Sequence, residues 1–212
     1  MAYTSEEMVF FNSLLDGREI FGIRIELPMQ VNKEYTEKTI GSLQEKGIID
    51  ENRKLVQTKE NPALLLRVYK EASEYMVINH LRIALVGRKY VVVILRKEKE
   101  YEIYGASRVA FFMQLIENTS LLREKAVSWE TSEKKTEFTV QEIKQSMEKE
   151  SIEDITILQK YEKGKQSRDY ILLEEKERAE LFDGKKKTRQ VVNGQTIRVL
   201  LQEMLEIRQE ET

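Results

Sequence analysis

"SEYMVINHLRIALVGRKYVVVILRKEKEYEIYG", residues 73–105, is the stretch that decides the fold. Apolar and polar residues alternate from Tyr75 to Leu85, which places Tyr75, Val77, Leu81, Ile83 and Leu85 on one face. Asn79 interrupts that face, and His80 and Arg82 point the other way. "VGRK" makes a tight turn into the apolar run "YVVVIL", and "KEKE" turns again into "YEIYG". Three consecutive strands with such short connections pair as an antiparallel meander, because parallel neighbours need a crossover of about a dozen residues or more.

Helical patterns lie on both sides of the meander. Upstream, "YTSEEMVFFNSLLDG" starts with Thr4 or Ser5 as cap and acids in the first turn. It sets Met8, Phe11 and Leu15 on one face and stops at Gly17. "FGIRIELP" is a short extended piece up to Pro28. Residues 33–46 form a second helix with Ile40 and Leu43 inward and "KG" as its stop. "RKLVQT" reads as a short strand, and "NPALLLRVYKEA" as a helix with Pro62 at its first position behind Asn61. Downstream, "SRVAFFMQLIENTSLLRE" is a helix with the stripe Val109, Phe112, Met113 and Ile116.

A polar connection, "KAVSWETSEKKTEFTV", follows, with Trp129 expected over a sheet edge. Next come a Thr139-capped helix with Val140, Ile143 and Met147 inward, and the strands "DITILQKYE" and "SRDYILLEE". "ERAELF" and "KKTRQVV" flank the hairpin signal Asp183-Gly184. The last helix, "TIRVLLQEMLEI", carries the stripe Ile197, Leu200, Leu201, Met204 and Leu205. "RKYVVVILRKEKEYEIYG" (88–105) can be laid beside "RDYILLEEKERAELFDG" (168–184): each reads Arg-x-Tyr, an apolar run, a charged turn and an alternating strand ending in Gly. The expectation is a single α+β domain over 1–212 with a central antiparallel β-sheet of seven strands and flanking helices. It is built from two similar halves, 1–125 and 136–212, joined by 126–135, as a pseudo-two-fold helix–strands–helix repeat.

Composition narrows the chemistry. The 212 residues are 41% hydrophobic and 34% charged, which suits a globular protein with a heavily charged surface. The longest apolar run, Tyr90 to Leu95, has the length of a strand and not of a membrane span. "MAYTSEEMVF" has no basic leader followed by an apolar core, and the absence of cysteine excludes disulfides, thiolate metal sites and cysteine nucleophiles. A cytoplasmic protein without membrane insertion is expected. A net charge of −2 and a pI near 5.8 argue against nucleic acid as partner. His80 is the single histidine, with no base or nucleophile near it in sequence. Gly17, Gly22 and Gly105 are isolated and form no phosphate loop, and no acid-rich loop has calcium spacing. No enzyme activity, cofactor or metal is expected. The run "GKKKTRQ", with Lys185 to Arg189, could contact phosphates or guard a strand edge against pairing.

"TIGSLQEKGIIDENRKLVQT", residues 39–58, has the helix–turn–strand order of a winged helix. Only two clear helices precede it, however, and the second alternates Glu34, Glu37 and Glu45 with Lys33, Lys38 and Lys46. "FNSLLDG", "ELP" and "LQEKGIIDENRKL" in this order, followed by a Pro-x-Leu helix, instead resemble the EspG-type ESX (type VII) secretion-associated chaperones. The residues that carry the resemblance are Leu14, Leu15, Pro28, Gly47, Ile48, Ile49, Asp50, Pro62 and Leu64. It covers about residues 5 to 120 in pattern and the second half in architecture.

The resemblance implies a divergent family member: a cytoplasmic chaperone or adaptor with a quasi-two-fold antiparallel sheet. It would hold the apolar tip of a helical secreted client, of WXG100, LXG or PE/PPE kind, and keep it soluble for export. "VGRK" is shorter than the client-gripping loop such proteins often carry. Partner-binding candidates are Tyr170 and Leu172 on the second-half sheet, and Leu201 and Met204 on the last helix; ordinary core packing is the competing explanation for each. The alternatives are a winged-helix regulator with a C-terminal sensing or dimerisation domain, and an interaction or immunity-type protein on the same fold. Oligomeric state and client identity are not encoded in any motif.

Overall fold

The computed structural model describes residues 1–25, 32–58, 60–123, 129–132 and 134–207. Pro28 and the rest of "ELP" lie outside them. The architecture is α+β, with ten strands among the described residues in one antiparallel sheet ordered β1-β5-β4-β3-β2-β7-β8-β9-β10-β6. The strands are β1 (Ala2–Thr4), β2 (Glu74–Ile78), β3 (Leu81–Val86), β4 (Tyr90–Lys97), β5 (Glu100–Ser107), β6 (Thr136–Glu137), β7 (Asp154–Glu162), β8 (Lys165–Glu175), β9 (Arg178–Asp183) and β10 (Thr188–Val192). The helices among the described residues are α1 (Ser5–Leu15), α2 (Lys33–Glu45), α3 (Pro62–Glu71), α4 (Arg108–Asn118), α5 (Val140–Met147) and α6 (Gly194–Met204). The chain divides into two compact units: residues 1–72, 80–86 and 91–106, and residues 73–79, 87–90 and 107–212.

In the first unit, a capping box starts α1. The Thr4 hydroxyl accepts the Glu7 N–H at 3.3 Å, and the Glu7 carboxylate accepts the Thr4 N–H at 2.8 Å. Glu7 is fully buried, and the rest of its hydrogen-bonding capacity is met by the Ser42 hydroxyl at 2.8 Å and the Lys46 ammonium at 2.7 Å. One carboxylate therefore caps α1 and ties it to the C-terminal end of α2. Lys46 also donates to the Ala2 carbonyl and lies over the Tyr3 ring. Ile40 and Leu43 of α2 are buried as expected, and Gly47 takes the left-handed conformation (φ 67°) that ends the helix.

Several expectations are corrected. "RKLVQT" forms no ladder strand; only Ile49 and Leu55 make a bridge. The Asn61 side chain takes the place of a partner strand, donating to the carbonyls of Ile48 and Val56 while its oxygen caps α3 at the Ala63 N–H. The single strand expected from Tyr75 to Leu85 is two strands. Asn79 adopts φ 48°, and its side chain accepts the Ile157 N–H at 2.8 Å and reaches the Ile155 carbonyl, so the chain turns there. That split, with β1 and β6, raises the strand count from seven to ten.

On α4 the buried stripe is Arg108, Phe111, Phe112 and Leu115, rotated from the expected one, and Met113 is exposed. The rotation follows from burying Arg108, whose guanidinium finds acceptors inside the second unit. On α5, Ile143 and Met147 pack on Phe138, Leu173 and Phe182, whereas Val140 is 61% exposed. The hairpin at Asp183-Gly184 forms with a longer loop: the Asp183 carboxylate accepts the N–H groups of Lys185 and Lys186, and Lys187 takes φ 56°.

Replacing Lys46 by Met leaves the Glu7 carboxylate buried without its counter-charge, a change that typically costs about 3–5 kcal/mol. Urea unfolding of Lys46→Met should show a loss near the lower end of that range, because Lys46 is partly exposed. The double variant Glu7→Gln/Lys46→Met should recover most of the loss.

Candidate functional site

The second unit contains a groove between α6 and the face of β8, β9 and β10. Strand register builds its floor. Tyr170 pairs with Asp183, Leu172 with Leu181, and Gln190 with Leu181, so Tyr170, Leu181, Asp183, Thr188 and Gln190 share one face. Ile171, Leu173 and Phe182 point to the other face, where they join Phe138. The groove encloses about 280 Å³, with Thr196, Val199, Leu200 and Glu203 of α6 as its wall and Lys135, Arg168 and Lys186 at its margin.

The wall is fastened along its length. Asn193 caps α6, its side-chain oxygen accepting the Thr196 N–H at 3.0 Å. Ile197, Leu201, Met204 and Leu205 are buried beneath the helix, and Arg198 donates to the Leu122 carbonyl at 2.8 Å. At the far end, Arg108 donates to the Leu205 carbonyl at 2.7 Å, the Glu206 carboxylate at 2.8 Å and the Gly87 carbonyl at 2.6 Å. Glu206 also accepts from Lys160 at 2.6 Å, and Lys160 pairs with Glu74 at 3.1 Å and Glu162 at 3.7 Å. Burial opposes the charge on both Lys160 and Glu206. The hydrogen bonds to Glu206 and Glu74 still hold the Lys160 pKa above its ordinary value, and those from Lys160 and Arg108 bring Glu206 down to about 2.

Of the four residues singled out from the sequence, Leu172, on the same sheet face as Tyr170, and Leu201 and Met204, on the buried stripe of α6, are core residues at 2–3% exposure and do not line the groove. Tyr170 lines the groove but is only 5% exposed, so it is part of a floor rather than a projecting contact. Its hydroxyl accepts from Arg168 at 3.3 Å. That bond, aided by the charges of Glu203 and Asp183, raises the Arg168 pKa against the effect of burial. Sequence reasoning passed over Val199, Lys135 and Glu203, and it set Leu200 on the inward stripe although Leu200 is only partly buried and lines the groove. The available signal was Val199, an apolar residue off the buried stripe of α6, which is 42% exposed.

Elsewhere, Trp129 is half-buried and borders a separate cavity of about 680 Å³ with Arg178 of β9 and Val191 of β10. His80 lines an open cavity of about 410 Å³ with Arg24, Arg82, Arg96 and Glu98. Among the described residues no group of three or more His, Asp or Glu could hold a metal ion, and no helix is long and apolar enough to cross a membrane.

The family described as "Domain of unknown function (DUF5081)" matches residues 1–212. No curated protein matches the sequence. Among solved structures, the chain is similar to the Mycobacterium tuberculosis type VII secretion system chaperone EspG5, solved in complex with the PE25–PPE41 dimer. The TM-score is 0.61 at 10% identity, over 97% of this chain and 95% of that chain. At that identity the likeness is one of fold, and it bears out the EspG-like α+β architecture anticipated from the order of elements.

The depressed Glu206 pKa sets an acid limb of stability. A carboxylate with a lowered native pKa contributes stability above its ordinary value of 4.5, and the contribution is lost as pH falls from there toward about 2. Thermal unfolding from pH 7 to pH 2.5 should therefore show a steeper acid decline in the native protein than in Glu206→Gln.

Proposed function

The chain belongs to the DUF5081 family, and we propose that it is a binding protein without turnover: a cytoplasmic chaperone or adaptor for a helical protein exported by a type VII secretion system. The observation that carries this function is the end-to-end likeness in fold to EspG5, itself a chaperone in complex with a PE25–PPE41 dimer. The groove between α6 and β8–β10 supplies the physical means. Its apolar lining is the exposed Val199 and the partly buried Leu200 over a buried floor of Tyr170 and Leu181, with charged side chains around them. Its volume of about 280 Å³ is enough for one large side chain, the scale of an anchor at a helix tip. An apolar client tip seated there is removed from water, which opposes its self-association before export.

The client class is a secreted helical protein, PE/PPE-like or its WXG100 or LXG counterpart. Tyr170 is proposed as the floor of the contact, with Leu172, Leu201 and Met204 holding that floor and wall in place. On α2, the helix a DNA reader would present, Ile40 and Leu43 are buried and Glu37 pairs with Arg53 at 2.9 Å, so no specific observation favours the regulator.

Co-expression with a helical secreted protein encoded beside this gene tests the function. The client should be insoluble alone and should co-elute with the chain as a soluble complex. Val199→Asp, on an exposed position, should abolish co-elution and leave the circular dichroism spectrum and melting temperature of the chain unchanged. A client that is equally soluble and unbound in the presence of the chain would remove the chaperone function. Tyr170→Phe is the gentler probe of the floor, because a charge at so buried a position would also destabilise the fold.

A further inference from the structure

We infer that the groove selects an apolar anchor flanked by acidic residues, so that its partner is an amphipathic helix carrying Asp or Glu on either side of one large apolar side chain. The inference rests on the groove being the client site, and it adds a selection rule that an apolar floor alone would not impose.

The charges at the groove are unequal. Lys135, Arg168 and Lys186 face it from one side of the balance, Asp183 and Glu203 from the other. Asp183 is already engaged. Asp183 accepts the backbone N–H groups of Lys185 and Lys186 and sits 3.9 Å from the Lys186 ammonium. Glu203 and Asp183 both act on the Arg168 guanidinium, which the Tyr170 hydroxyl positions. Lys135 forms no ion pair with any described residue, and Lys186 is 62% exposed with only its long contact to Asp183. The cations at the groove outnumber the acids three to two, and one of those acids, Asp183, is already occupied, so the balance favours a further carboxylate over a further ammonium.

Geometry places those cations around the apolar surface. Lys135 precedes β6, Lys186 lies in the β9–β10 loop, and Tyr170, Leu181, Val199 and Leu200 lie within the same groove. Lys185 and Lys187, both exposed, flank Lys186 in that loop and extend the positive margin. Rim charges of this kind, mostly solvated, govern partner choice and association rate more than total affinity. Their influence reaches about 8–10 Å at ordinary ionic strength, far enough to act on residues adjoining an anchor. Guarding a strand edge, the other role open to these lysines, requires neither the exposed Val199 opposite nor a cation at Lys135, and β10 is already paired with β6 at Thr188 and Arg189.

Two fluorescein-labelled helical peptides test the rule. Both carry one Leu-Phe anchor on an alanine-rich scaffold; one has Glu at the flanking positions and the other Lys. Fluorescence anisotropy with the full chain, at about 0.05 M salt, should give the Glu-flanked peptide an affinity at least about fivefold higher, and added salt should erase the gap. Lys135→Glu/Lys186→Glu should invert the preference with the melting temperature unchanged. Equal binding of both peptides, indifferent to the double substitution and to salt but lost in Val199→Asp, would overturn the acidic selection and leave the groove as the client site. Failure of both peptides to bind would overturn the inference, and the co-expression result would then decide independently whether a client is bound at all.

Discussion

The ammonium of Lys160 is the group on which the second unit turns. Strand β2 meets β7 with Glu74 directly opposite Glu162, a pairing of like charges that disfavours this register on its own. Lys160, buried at 6% exposure, bridges both carboxylates and makes the register tenable. The same ammonium holds Glu206, which with Arg108 secures the end of α6. Strand register and helix position thus share one cation. Desolvating it is costly, and the cost is offset because each partner carboxylate meets it at hydrogen-bonding or near-contact distance.

Where α6 sits determines whether a groove exists. Its inner stripe faces the core, so its outer shoulder, with Val199 and Leu200, stands beside Tyr170 and Leu181 on the sheet. A wall held by Asn193 at one end, Arg198 along its length and Glu206 at the other has little conformational freedom to lose when something binds against it. Such a site differs from a flexible loop closing over a client, and it suits a chain whose strand connections are as short as "VGRK" and "KGKQ".

Much of this was legible in the sequence, and the limits have physical causes. Apolar or alternating runs set off by charged turns identified β4, β7, β8, β9 and β10, with β4 burying four successive residues, Val91 to Ile94, and capping chemistry identified α1, α3 and α5 at Thr4, Asn61 and Thr139. The turn at Asn79 was hidden because the apolar alternation resumes beyond it at Leu81, so the interruption passed for a polar position within one strand; its amide bonds to β7, far along the chain. The stripe of α4 was misplaced because a buried arginine looks polar until its acceptors at Gly87, Leu205 and Glu206 are known. The groove was half-legible. Tyr170 belonged to it, but Leu201 and Met204 are on the inner face of the same helix, and periodicity distinguishes faces without saying which of them a partner can reach.

The β2–β7 ladder has a consequence in time. It pairs Ile78 with Leu158 and Glu74 with Glu162, so residues 74–78 leave the ribosome long before their partner is made. Throughout that interval the β7-facing edge of an apolar strand, "YMVI" within it, presents unpaired backbone to solvent, and non-local ladders of this kind form slowly. The nascent chain therefore passes through the same hazard from which the proposed function would spare a client.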